Sequence, residues 1–348
     1  MPRPLILFYN PFFTEFPDTS DLECQARCEF THDRARFAEA DAVVIHLPAC
    51  PRIWEARKYP GQLWVAWSLE SDVMVPALGN PRFMRHFDLT MTYRRDADVW
   101  WPYLPPTAFP PSPADRLLAP MPPKPEGAPA VLFQSSPHDR SARNGYIFEL
   151  MKKLRVDSYG RFLTNRQLPG PDRGWRTKLE VISRYKFCLA FENSRTVDYV
   201  TEKFFHPLMA GTVPVYRGAP NVADFAPGEK SFIAVDDFAG PGELAEYLNY
   251  LDGNAIAYQE FFRWKSTGFA AGFQAMIGKL QRQPLCRLCD IVLERSLARG
   301  TRSGARDASF ARPFLLHRWY PRAIVRQARL ARHAISRRLA RSQMLHRP

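Results

Sequence analysis

No run of about 18 uncharged apolar residues occurs in the 348-residue chain, so no segment is long enough to span a bilayer as a helix. The start, MPRPLILFYNPFF, has a short apolar run but no small-residue cleavage pattern, and it continues into Glu15 and Asp18. It reads as a first buried strand and not as a signal peptide. Cysteine is also scarce, with six in the whole chain. That is too few for a disulfide scaffold of this size and fits a cytosolic location. Cys24-x3-Cys28 and Cys286-x2-Cys289 have a spacing at which four thiolates can share a zinc ion, but the His partners and turn glycines usual at such sites are missing from both. Whether Cys286 and Cys289 are bonded stays open. The glycine fingerprint G-x-G-x-x-G and the Lys-bearing P-loop are both absent, which removes support for NAD binding and ATP hydrolysis. There is no internal repeat.

Apolar material is plentiful, at 46% hydrophobic and 13% aromatic residues with eight Trp, so the body is globular, and the length suits two domains. The formal charge of +13 suggests nucleic acid until it is divided along the chain. Residues 301–348 contain twelve Arg, no Lys and one acid, Asp307, and so carry +11, leaving +2 for the other 300 residues. The basicity belongs to the tail.

Four apolar runs in the first hundred residues, PLILFY, DAVVIHLP, QLWVAWSLES and FDLTMTYR, read as buried strands, with DRARFAEA helical between the first two. Ten Pro fall within residues 104–130, the composition of a semi-extended linker. Beyond it the alternation resumes: strand AVLFQSS, helix ARNGYIFELMKKLR, a turn at VDSYGRF, helix WRTKLEVISRY, strand KFCLAFEN, helix TEKFFHPLMAG, then strands VPVYRG and SFIAVDDF and helix GELAEYLNYL. This is a parallel α/β pattern on both sides of the linker. Two such domains place a ligand cleft at the carboxyl ends of their strands.

The densest polar stretch is FENSRTVDYVTEKFFHPLMAGTVPVYRG, residues 191–218. Thr201 suits a helix N-cap, with Glu202 and Lys203 in the first turn, where free amides and a lysine favour an anion such as phosphate. The plainer reading of that dipeptide is a capping carboxylate and a solvated lysine. The whole stretch resembles the donor-binding signature of the α1,3/4-fucosyltransferases, glycosyltransferase family 10, in its spacing from Asn193 to Tyr199 to Glu202 and Lys203. WVAWSLES with FDLTMTYRRDADVWWPY, FQSSPHDRSARNGYIFELMKKLRVDSYG and CRLCD are similar to further segments of that family, so the resemblance runs from about residue 62 to 290.

The resemblance, to a bacterial-type member, implies a GT-B architecture of two Rossmann-like domains facing a cleft. The domain expectations are an acceptor-side domain over 1–103, the linker over 104–130, a GDP-fucose domain over 131–300 and a basic tail over 301–348. It also implies inverting transfer of L-fucose from GDP-fucose to a GlcNAc- or Glc-containing glycan, a lipopolysaccharide or other lipid-linked acceptor. Glu70 matches the family's base, which would activate the acceptor hydroxyl, although Asp72 stands where family members often carry Pro. Arg143 and Lys203 match positions that meet the pyrophosphate, a bidentate guanidinium suiting two phosphate oxygens. Asn193, Tyr199 and Glu202 match positions contacting nucleotide or fucose. No cofactor is implied, and a divalent metal is stimulatory at most: Asp96-x-Asp98 has the form of a metal-binding pair but falls in the acceptor-side segment and reads as structural. Another GDP-sugar as donor, or a catalytically silent nucleotide-sugar-binding protein, are the alternatives.

In the tail, Ile324, Ala328, Ala331, Ile335 and Leu339 recur at steps of three and four with Arg on the remaining faces, so residues 319–344 read as a basic amphipathic helix suited to an anionic membrane surface. The expected location is therefore cytoplasmic, peripheral on the inner membrane face. No RNA-binding motif accompanies the arginines, and nucleic acid is not an expected partner.

Overall fold

The computed structural model describes residues 3–49, 57–104, 112–298 and 312–313. The chain divides into two compact units. The first comprises Met1–Thr92, Ala97–Val99 and Leu285–Pro348, and the second Tyr93–Asp96 and Trp100–Pro284.

The strands of the first unit form where the sequence is apolar on both faces. β1 (Leu5–Phe8), β3 (Ala42–His46) and β5 (Leu63–Ser68) are buried at every position. Burial on both faces is the mark of central parallel strands. β2 (Glu29–Thr31), β6 (Leu89–Thr92) and β7 (Val99–Trp100) complete a sheet of order β2-β1-β3-β5-β6-β7. The pairs β1/β2, β1/β3, β3/β5 and β5/β6 are all parallel. β4 (Arg57–Lys58) pairs antiparallel with β13 (Arg312–Pro313). DRARFAEA, expected as a helix, makes only one 3-10 turn, Arg34–Arg36, in which the Asp33 carboxylate accepts the Ala35 N–H. α1 (Pro81–Met84) is likewise a single turn.

The second unit carries a five-stranded sheet of order β12-β11-β10-β8-β9, in which each strand runs parallel to its neighbours. Its strands are β8 (Ala130–Gln134), β9 (Val156–Gly160), β10 (Phe187–Phe191), β11 (Val213–Arg217) and β12 (Ile233–Ala234). VDSYGRF, expected as a turn, is strand β9. Asp157 and Ser158 suggested a turn, but both are buried, Asp157 accepting from the Tyr185 hydroxyl at 2.8 Å and Ser158 donating to the Phe162 carbonyl at 3.0 Å. SFIAVDDF is correspondingly shorter than expected, two strand residues and then a 3-10 turn at Val235–Asp237.

Helices α3 (Arg143–Met151) and α6 (Pro241–Gly253) supply Ile147, Leu150, Leu244 and Leu248 to a core on the sheet. α4 (Trp175–Ile182) supplies Leu179 and Ile182 to a second cluster with Tyr159 and Tyr185. α5 (Glu202–Met209) and α9 (Ala271–Lys279) meet in a third cluster, with Trp264 from α8 (Trp264–Thr267). α7 (Ala255–Gln259) contributes Tyr258 to the first.

The proline-rich segment departs from a linker. α2 (Pro113–Leu118) has a capping box between Ser112 and Asp115, and Leu104 and Leu117 are buried in the core that contains α5. Proline lacks an N–H and leaves carbonyls to be satisfied by side chains. Lys124 Nζ pins the segment to the Ser183 and Gly211 carbonyls at 2.7 and 2.6 Å, and Lys265 Nζ reaches the Ala119 carbonyl at 2.8 Å. Burial pushes Lys124 down to about 7.

The last long helix among the described residues, α10 (Pro284–Ala298), joins the first unit from Leu285 onward and not the second, against the expected domain limits. The four cysteines of the two spaced pairs do meet, as disulfides: Cys24 with Cys286 and Cys28 with Cys289, all four buried. Six cysteines were expected to be too few for a disulfide scaffold, yet four of them form two bridges. Sparse cysteines suffice because two helically adjacent thiols lie opposite two on one N-terminal turn. An Arg27–Asp290 ion pair at 2.8 Å reinforces the junction. The helix expected over 319–344 lies outside the described residues.

Non-reducing peptide mapping is expected to recover Cys24 cross-linked to Cys286 and Cys28 to Cys289. Each bridge spans more than 260 residues, and loop-closure entropy makes the first worth up to about 5 kcal/mol. Reduction should therefore lower the melting temperature by several degrees, and an unchanged melting curve would remove the junction from the stability of the fold.

Candidate functional site

In the second sheet the chain leaves β8 for the edge strand β9, then returns past β8 to β10, so strand order reverses between β8 and β10. Ligands of open parallel sheets bind outside the carboxyl ends of the strands at such a switch point. Here those ends are Gln134 and Phe191, and the residues just beyond them build the site.

Directly after β10 stands Glu192, whose side chain has 0% exposure. A buried carboxylate survives only when its lone pairs are filled. Its Oε1 accepts the Thr201 N–H at 2.8 Å, its Oε2 accepts the Thr201 hydroxyl at 2.9 Å, and Lys203 Nζ lies 3.2 Å from Oε2. Thr201 is the N-cap of α5, accepting the Lys203 N–H as its residue type predicts. Lys203 Nζ also donates to Thr201 Oγ1 at 3.0 Å and to Glu202 Oε1 at 3.2 Å. Burial raises the Glu192 carboxyl. Burial would raise Glu202 as well, but Lys203 and Lys178 outweigh it and bring Glu202 down to about 2. Burial opposes the charge on Lys203, and the two carboxylates more than restore it, holding it above the ordinary ammonium value. Lys203 is thus a charge held between two acids, with 22% of its side chain exposed toward solvent.

Arg143 stands at the start of α3 as the sequence suggests, but its guanidinium is turned inward, at 1% exposure. Nη1 donates to the Phe191 carbonyl at 2.8 Å, and Nη2 to the Ser136 and His138 carbonyls at 3.2 and 3.0 Å. Among the described residues its Nε has no hydrogen-bond partner. The arginine ties together the two loops that leave β8 and β10. Asp139 caps α3, accepting the Arg143 and Asn144 N–H groups at 2.7 and 3.1 Å. Ser141 Oγ donates to the Glu192 carbonyl at 2.6 Å, and Arg217, at the end of β11, donates to the Ser141 carbonyl at 2.6 Å.

Asn193 is half-buried beside this junction; its carbonyl accepts the Arg140 N–H at 2.9 Å and its Oδ1 accepts the Ser194 hydroxyl at 3.0 Å. Tyr199 is 2% exposed, its ring edge-on to Tyr93 at 5.1 Å and to Tyr103 at 6.1 Å. It packs as a core aromatic under the loop. Arg143, Asn193, Tyr199, Glu202 and Lys203 therefore gather at one junction. Glu192, Ser141, Asp139 and Arg217, which complete it, were not among the residues picked from the sequence. The signal available was a charge at the end of each of two five-residue apolar strands, Glu192 directly after Phe187–Phe191 and Arg217 closing Val213–Arg217. Gly218 allows the close approach: a Cβ there would lie 2.6 Å from Glu192 Cγ.

Glu70 belongs to the first unit. It lies just beyond β5 in a turn where the Ser68 hydroxyl donates to the Glu70 carbonyl at 2.9 Å, and it is half-buried. Of the Asp-x-Asp pair, Asp98 accepts from the Thr90 N–H and hydroxyl at 2.8 and 2.9 Å, and Asp96 takes a two-pronged bond from Arg94 at 2.9 and 2.8 Å. Among the described residues no group of three or more His, Cys, Asp or Glu is arranged to hold a metal ion.

The family model for glycosyltransferase family 10 (fucosyltransferase), C-terminal part, matches residues 124–303, and the fucosyltransferase N-terminal model matches residues 1–104. A fucosyltransferase-like protein of Arabidopsis thaliana is 37% identical over 239 residues, covering 68% of this chain and 44% of its own length. A 3-galactosyl-N-acetylglucosaminide 4-alpha-L-fucosyltransferase of Bos taurus is 36% identical over 289 residues, covering 77% of this chain and 72% of its own length. The chain thus spans less than half of the first relative and nearly three quarters of the second. The crystal structure of an alpha1,3-fucosyltransferase with GDP-fucose superimposes with a TM-score of 0.56 at 20% identity, covering 88% of this chain and 94% of that one.

Two parallel-sheet α/β units of this kind define the GT-B class of glycosyltransferases. Within that class the chain belongs to glycosyltransferase family 10, the fucosyltransferases.

Lys203→Met is expected to destabilise the ligand-free protein by about 3 kcal/mol, because it leaves the Glu192 carboxylate buried without its cation. Urea unfolding without nucleotide measures this, and an unchanged midpoint would assign Lys203 to ligand binding alone. Gly218→Ala should cost about 1–3 kcal/mol by the same measurement, through the clash with the Tyr216 ring and hydroxyl and with Glu192.

Proposed function

We propose that the protein transfers L-fucose from GDP-fucose to a GlcNAc- or Glc-containing glycan, in α1,3 or α1,4 linkage and with inversion at the fucose anomeric carbon. The observation that carries this reading is the Glu192–Thr201–Lys203 junction at a sheet switch point, in a chain of family 10. The second unit binds the donor. The start of α3 and Lys203 face the diphosphate, and Glu202 accepts hydrogen bonds from ribose hydroxyls. Because Arg143 is committed to three carbonyls, its part at the donor site is to hold in place the two loops that receive the pyrophosphate.

The first unit contributes Glu70 as base. Its carboxylate takes the proton of the acceptor hydroxyl as that oxygen bonds to the anomeric carbon. The bond from that carbon to the β-phosphate oxygen breaks with its electron pair, and GDP leaves as the anion. In-line displacement of this kind needs one base and charge stabilisation at the leaving group. A divalent cation is stimulatory at most in this scheme and not the catalyst.

The acceptor is a lipid-linked glycan in this reading, and the arginine-rich residues 319–344 bring the enzyme to an anionic membrane surface. The two disulfides favour an oxidising compartment over the cytosolic membrane face, since such bridges are rare where glutathione keeps thiols reduced.

The test is product analysis with GDP-fucose, GDP-mannose and a panel of GlcNAc- and Glc-terminated acceptors. Fucoside and GDP are expected from GDP-fucose, and no GDP release with any acceptor would contradict the reading in favour of a silent binding protein. Glu70→Gln should lower turnover by about 10²–10⁴-fold while GDP-fucose affinity, measured by calorimetry, stays within two-fold. Unchanged turnover would remove Glu70 from the base role.

A further inference from the structure

Tyr93–Asp96 belongs to the second unit although the residues on both sides of it belong to the first. Two of its side chains reach the loop between β10 and α5: Tyr93 packs on Tyr199, and Arg95 grips Asp198. Asp198 is a non-glycine residue with φ of +66°, a left-handed conformation that persists only when its surroundings impose it. The surroundings do so by giving the carboxylate three hydrogen bonds. Oδ1 accepts from Arg95 Nε at 2.8 Å and from Asn221 Nδ2 at 2.9 Å, and Oδ2 accepts the Arg95 main-chain N–H at 3.0 Å. The Asp198 N–H in turn donates to Asn221 Oδ1 at 2.9 Å. Arg95 is itself steadied by Asp224 at 2.6 Å and by the Phe225 ring, 5.2 Å below its guanidinium.

An exposed ion pair contributes little, but here the acceptor is 5% exposed and its partner side chain 44% exposed, so the carboxylate carries a desolvation cost that only Arg95 and Asn221 offset. The turn it fixes comes directly before Tyr199, Val200 and Thr201. Thr201 is the residue that fills Glu192 and caps α5, and Lys203 stands two positions later. The register of that run relative to β10 is set at Asp198. None of the family-matched donor positions includes Arg95, Asp198 or Asn221.

We propose that Arg95 is a positioning residue for donor binding: through the left-handed turn at Asp198 it holds Thr201 and Lys203 where the diphosphate of GDP-fucose is received. The inference rests on the reading that this junction binds the donor. Loss of Arg95 lets the turn relax, shifting the α5 start by a fraction of its hydrogen-bond lengths, and small misplacements of a binding group are costly. Acceptor recognition does not depend on it.

The experiment compares wild type, Arg95→Ala, Arg95→Lys and Asp224→Ala, each full-length, by calorimetry with GDP and by steady-state kinetics varying donor and acceptor separately. Arg95→Ala is expected to weaken GDP binding and raise the KM for GDP-fucose about ten-fold, with the acceptor KM within two-fold of wild type. Arg95→Lys, which keeps the charge but not the fork, should fall between them. Asp224→Ala removes the Asp224 contacts to Arg95 and, at 3.2 Å, to Asn221 Nδ2 but keeps every bond to the Asp198 carboxylate, so it keeps the test available if Arg95→Ala does not fold; its donor KM should rise about two- to three-fold. Unchanged GDP affinity in Arg95→Ala, donor and acceptor KM rising in parallel, or a donor KM unaltered in Asp224→Ala would each overturn the proposal. Failure of wild type to bind GDP would instead overturn the donor-site reading beneath it.

Discussion

A carboxylate sealed from solvent at the end of β10 is the constraint on which the rest of the site depends. Glu192 must be filled, and the groups that fill it come from the start of the next helix: the Thr201 N–H, its hydroxyl and the Lys203 ammonium. That requirement draws the start of α5 back onto the strand end and fixes the loop between them. The glycine at position 218, the Ser141 hydroxyl on the Glu192 carbonyl and the inward-facing Arg143 all serve the same closure. A loop that is rigid before any ligand arrives loses less of the binding free energy to ordering.

The two sheets repeat one solution. Leaving aside the outermost strand of the first, both have the order second, first, third, fourth, fifth in chain sequence, which sets a switch point beside the first strand of each. Short parallel strands buried on both faces leave few polar positions, so the chemistry collects at the strand ends. The disulfides at Cys24 and Cys28 tie α10, the last long helix described, to the first unit, so both ends of the described chain contribute to one compact body.

Much of this was legible in the sequence, for identifiable reasons. Apolar runs such as LILF, AVVIH and FCLAF announced central parallel strands because burial on both faces leaves no alternation to confuse them. Thr201 announced its cap by residue type and by the acidic Glu202 next to it in the first turn of α5. Strand β9 was hidden because Asp157 and Ser158 find partners only in the folded protein, Tyr185 and the Phe162 carbonyl, and polar residues read locally as a turn. The disulfides were hidden because their halves lie more than 260 residues apart. Arg143 was legible as a site residue from its place at a helix start, but its bonds to the carbonyls of Ser136, His138 and Phe191 were not, because those partners come from two separate loops. Glu192 showed only as a charge directly after an apolar strand, and no local pattern distinguishes Asp198, which carries the loop geometry, from an ordinary surface acid.

The most direct measurement is a crystal structure of the protein with GDP-fucose. The account predicts the diphosphate at the carboxyl ends of β8 and β10, beside the start of α3 and Lys203, with the Glu192–Thr201 bonds kept. A nucleotide bound away from that junction, or bound there only after those bonds are broken, would contradict it.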